Sequence, residues 1–96
     1  MTDDEKNNAL FASLLMMFHA AAMQYLGKVK NPATDKIERN LEQAQAMIDM
    51  FDMLKAKTKG NLTGDEDKFL SNLAQELKLN YVDEASKPQP AEGDTK

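Results

Sequence analysis

The sequence predicts an all-α protein of three helices, and two observations carry that prediction. Apolar residues recur at helical spacing in three segments, near 7–26, 41–59 and 64–84, with no strand-like alternation between them. Capping or breaking residues bound the segments: Gly27, Asn31-Pro32, Asn40, Gly60 and Thr63. At 96 residues and 42% hydrophobic composition there is room for one domain. The expected architecture is a long first helix packed against an antiparallel hairpin of the second and third. Residues 7–85 form that domain and 1–6 a flexible N-terminus. Residues 86–96, with two prolines, a glycine and no large apolar side chain, read as a disordered tail.

The first helix is apolar nearly all round. Placed at about 100° per residue, Leu10, Leu14, Tyr25, Phe18, Phe11, Ala22, Leu15 and Leu26 fill one arc of about 160°, the expected core face. The opposite arc holds Ala9, Ala12, Ser13, Met16, His19, Ala20, Met23 and Gln24, where an ordinary surface helix shows Lys and Glu. A helix without a polar face is normally buried, and two short helices cannot wrap it. Completion by homodimerisation is therefore expected, with Ala9, Ala12, Met16, Ala20 and Met23 as the interface, and a protein partner of another sequence is a further reading of the same excess. The 21 uncharged positions from Asn7 to Gly27 reach the length of a spanning helix. Asn7, Asn8, Ser13, His19, Gln24 and five alanines make that stretch a poor match to lipid, so no membrane span is expected.

Asn31-Pro32 disfavours helix in the linker that follows. Asn40 then caps the second helix, with Gln43 three residues on as in a capping box. Leu41, Ala44, Met47, Ile48, Met50, Phe51 and Leu54 make its apolar half, and Met53 lies among polar residues. Lys55, Lys57 and Lys59 offset the negative end of the helix dipole, and Gly60 suits the left-handed C-cap. Thr63 and Glu66 form a capping box for the third helix, whose apolar arc of about 140° holds Phe69, Leu70, Leu73, Ala74, Leu77 and Tyr81. Leu79 and Val82 fall outside it.

Composition narrows the chemistry. With no cysteine and one histidine, thiolate metal sites, disulfides and cysteine nucleophiles are excluded, and the sequence calls for no cofactor. Twelve basic against sixteen acidic side chains argue against general nucleic-acid binding. The charge is uneven: residues 1–60 are balanced at eight of each sign, and the net −4 sits in the last third. An acidic start, Asp3-Asp4-Glu5, is the opposite of a secretory signal, so a cytoplasmic location is expected.

The run Lys57-Thr58-Lys59-Gly60-Asn61-Leu62-Thr63, with Ile48 to Leu54 before it and Leu77 to Val82 after it, resembles the bacterial domain-of-unknown-function family numbered 1844. The resemblance spans about Leu10 to Val82 and implies a small helical bacterial protein, without a reaction or substrate. Two positions depart from the family: Phe51 stands where leucine is usual, and Gly64 opens the third helix where a better helix former is usual.

Several residues invite a functional reading beside a structural one. Lys55, Lys57, Lys59 and Asn61 adjoin the start of the third helix and could hold an anion or contact RNA, although capping alone accounts for them and no aromatics interleave. His19 could sense protons or bind metal across a dimer, or be a buried histidine bonded to a neighbour. The methionines of the first two helices could line a groove for a peptide helix, or pack as core. Asp65-Glu66-Asp67 lacks the spacing of a calcium loop. No nucleophile stands beside a base, and no glycine-rich loop follows a strand. The sequence therefore points to a non-enzymatic interaction module that self-associates through its first helix, with an anion or RNA contact at the lysine turn as the alternative.

Overall fold

The computed structural model describes residues 1–88 and consists of three helices, α1 (Asp3–Tyr25), α2 (Leu41–Lys57) and α3 (Gly64–Ala85). Most of the expected tail, from residue 89 onward, lies outside the described residues. The Asn40 N–H donates to the Tyr25 carbonyl at 2.7 Å, which sets the start of α2 beside the end of α1. Because α2 and α3 are joined by the short 58–63 turn, the bundle runs up, down and up, with α1 and α3 parallel. Each helix packs on the other two.

α1 begins four residues before the expected position. Thr2 accepts from the Glu5 N–H, and the Glu5 carboxylate accepts from the Thr2 N–H at 2.9 Å, a complete capping box. Residues 3–6, expected to precede the helix, thus form its first turn. Apolar periodicity could not reveal a turn made only of Asp3, Asp4, Glu5 and Lys6. At the other end α2 stops at Lys57, two residues short of expectation; Thr58 caps it, both its N–H and its hydroxyl donating to the Leu54 carbonyl, before Gly60 turns the chain at φ +87°. α3 starts on the expected Thr63–Glu66 capping box.

The end of α1 is a full Schellman motif. Lys28 N–H reaches the Met23 carbonyl and Gly27 N–H the Gln24 carbonyl, both at 2.9 Å, with Gly27 at φ +80°. In the linker Asn31 accepts at its side chain from Ala33 N–H, donates its backbone N–H to the Lys36 carbonyl, and holds Glu38 through its amide at 2.9 Å. The chain thereby folds back without a second apolar cluster of its own.

The core joins Leu15, Ala22 and Leu26 of the α1 segment to Ala44, Met47, Ile48 and Phe51 of α2 and Leu70, Leu73, Ala74 and Leu77 of α3. Phe51, at the position where the resembled family has leucine, is fully buried. One expectation fails on α1: Leu10 and Leu14, assigned to the core face, are 57% and 37% exposed. The buried stripe is turned away from them because α3 packs on the flank that carries His19 and Ala12, so the arc that the bundle covers is shifted rather than widened. Met50 likewise leaves the apolar half of α2 and lies 41% exposed.

Candidate functional site

Among the described residues, and apart from exposed Leu79 and Val82 on α3, three places concentrate chemistry or uncovered apolar surface. The first is the outer side of α1. Leu10, Leu14, Met16 and Met17 are exposed there together with Ala9 and Ala20, on a stretch without charge. Of the five small-arc residues expected at an interface, Ala9, Met16 and Ala20 are exposed. Ala12 is half-buried, and Met23 packs on the core. His19 is mostly buried against α3, with Nε2 3.5 Å from Glu76 Oε1. With its amide oriented to suit its neighbours, Asn8 donates to Glu66 Oε2 at 2.9 Å. Both residues mark the flank of α1 that faces α3.

The second place is the lysine turn. Lys55 and Lys59 line an open depression of about 770 Å³ with Thr58, Gly60, Thr63 and Gly64, whereas Lys57 and Asn61 do not. Asp52 and Asp67 share the same walls, and Asp52 is paired with Lys78 at 3.0 Å. An anion entering would meet two carboxylates beside two ammonium groups. The free N–H groups of the α3 start are also partly taken by the Thr63 cap.

The third place was not expected from the sequence. Arg39, 4% exposed at its side chain, lies at the C-terminal end of α3 and donates from Nη1 to the Glu84 carbonyl at 2.7 Å and to Glu84 Oε1 at 3.2 Å. Its Nη2 reaches the Lys87 carbonyl at 3.3 Å. Lys28 Nζ lies 2.7 Å from Asp83 Oδ2 and 2.8 Å from Glu84 Oε2, and Lys87 closes the cluster. Burial opposes ionisation of Glu84, but the hydrogen bonds from Lys28, Arg39 and Lys87 outweigh it and hold its carboxyl below the ordinary value. Lys28 and then Lys87 lower Asp83 in the same way, and the two carboxylates raise Lys28 in return. The arrangement binds the α1–α2 linker to the last turn of α3 and caps carbonyls that a helix end leaves open. Glu84 follows Leu77 by seven residues, so its place on the buried stripe was available in the sequence as a carboxylate at an apolar register position.

Comparison with known proteins adds a family. The sequence pattern of the family described as a domain of unknown function, DUF1844, matches residues 8–83. The chain belongs to the DUF1844 family. No curated protein and no solved structure matches it. The matched span of this DUF1844 chain takes in all but the first turn of α1, the linker, α2 and the turn before α3, and α3 as far as Asp83. It therefore includes both the uncovered side of α1 and the lysine turn. Among the described residues no group of three or more His, Cys, Asp or Glu is placed to hold a metal ion. No helix there is long and apolar enough to cross a membrane.

Proposed function

We propose that this DUF1844 protein is a non-enzymatic interaction module, an adaptor or regulatory subunit, that associates with itself through α1. The observation behind this reading is that four large apolar side chains of α1, Leu10, Leu14, Met16 and Met17, stand more than a third exposed on a helix with no charge between Asn7 and Tyr25. Scattered exposed leucines are ordinary, but a contiguous uncharged patch is the usual mark of a protein contact. Thioethers adapt to the surfaces they meet, which suits a docking face. The lysine turn makes the weaker case, because Asp52 and Asp67 share its depression.

The test is the mass of the full chain in solution by light scattering. A species of twice the 10.7 kDa chain mass is expected, and Met17→Glu should return it to the monomer with an unchanged helical circular-dichroism spectrum. A chain that stays monomeric at high micromolar concentration would remove the self-association reading.

A further inference from the structure

We infer that a second copy of this chain seats on the seam between α1 and α2, antiparallel, about a two-fold axis close to Met53. This rests on the self-association reading above and adds to it. α2 supplies part of the contact, and of the exposed α1 side chains Leu10, Leu14 and Met17 enter it while Met16, with Ala9 and Ala20, stays outside.

The register of the helices locates the seam. On α1 the contacts of Asn8 and His19 with Glu66 and Glu76 mark the side toward α3. At about 100° per residue, Leu10, Leu14 and Met17 lie across the buried stripe from those contacts, on the side toward α2. On α2 the Asp52–Lys78 pair marks the side toward α3; Met50 lies across the stripe from it, and Met53 lies next to Met50 on the outer side of the helix. Since the two helices run antiparallel from the Tyr25–Asn40 hydrogen bond, Met50 comes level with Met17 and Met53 with Leu14, to within a turn. Five large apolar side chains, from 37% to 66% exposed, thus share one face.

Size and charge identify the occupant. Half-open Leu and Met side chains offer roughly 70–100 Å² each, so two such faces with their alanine and backbone fringe approach the ~1,200 Å² at which specific interfaces begin. An isologous contact sets each face on its own image, and any charge at the centre would meet itself. This centre has none. At its edge, Asp49, Met53 and Lys57 form one row at i, i+4 and i+8 along α2, with Asp49 and Lys57 both exposed. A two-fold axis at Met53 brings Asp49 of one copy level with the partner's Lys57, and does so twice. A row with one sign at each end and methionine in the middle is complementary to itself when reversed.

Sedimentation velocity on the full chain, with circular dichroism to check the fold, tests the inference. The wild type should be dimeric, Met53→Glu should weaken the dimer at least tenfold, and Ala20→Glu on the other flank of α1 should leave it unchanged. Asp49→Lys and Lys57→Asp should each weaken it, and the double exchange should restore it. A dimer broken by Ala20→Glu but indifferent to Met53→Glu overturns the seam and leaves self-association standing. Loss in both single charge variants without rescue in the double overturns the antiparallel axis. A monomeric wild type overturns the seam and the self-association reading together.

Discussion

Arg39 shows what one residue can hold. Its guanidinium bonds two backbone carbonyls and a carboxylate at the end of α3, so Arg39→Ala removes a charged partner from the buried Glu84, while the Lys87 carbonyl stays open to water. The expected loss is about 2–3 kcal/mol, measured by urea unfolding. Glu84 and Asp83 titrate below their ordinary values, so their contribution is complete above about pH 5 and is lost as the pH falls through the lowered values. Lys28 is raised, so its contribution is complete below about pH 10 and disappears only above its raised value. The melting temperature of the wild type should therefore fall on acidification below about pH 4, and Glu84→Gln should show a shallower fall. A parallel decline in both proteins would remove Glu84 from the account. In the sequence, Glu84 sat legibly on the apolar stripe. Its partners were not legible, because Lys28 and Arg39 come from an irregular linker that has no period to place them.

Helix ends were easier to read than helix phase. The caps at Asn40 and Thr63 and the glycine stop at Gly27 are local hydrogen-bonding devices, and the structure has all three. Gly27 is required twice over, by its φ of +80° and by a Cβ that would stand 3.2 Å from Arg39 Cβ. Gly27→Ala should cost about 1–2 kcal/mol in thermal or urea unfolding, and a neutral substitution would mean that the linker relaxes freely. The phase of α1 was misread by part of a turn. Its sequence is apolar on both arcs, so nothing in it says which leucines α2 and α3 will cover. α2 and α3 have polar halves, and their cores were legible apart from Met50.

At the scale of the whole molecule, the parallel course of α1 and α3 gathers their acidic first turns at one pole. Asp3, Asp4 and Glu5 lie there with Asp65, Glu66 and Asp67, beside the lysine-bearing end of α2. The carboxylates suit two positive helix ends and the lysines suit one negative end, so the lysine turn stands beside an excess of carboxylates. Asp52 and Asp65 to Asp67 adjoin the lysines in the sequence, and only Asp3, Asp4 and Glu5 are brought to them from a distant segment by the fold. The uncovered side of α1 was legible as an excess of apolar residues. The methionines of α1 and α2 were legible as a candidate groove, but which of them stand exposed, Met16, Met17, Met50 and Met53, depends on how the two helices are rotated against each other.

The grip of Arg39 on the last turn of α3 also has a consequence for rates. It joins positions 45 residues apart, whereas the helices and the α2–α3 turn form from near neighbours, and bundles of such local contacts fold quickly. A surface-end contact of this span, outside the apolar core, is expected to close after the rate-limiting step. Arg39→Ala should then steepen escape from the native state while leaving the refolding arm of a chevron plot in place. A refolding rate that drops in proportion to the lost stability would instead put this contact in the folding nucleus. The late-closing contact makes the linker a latch that governs how long a folded chain lasts, more than how soon it forms.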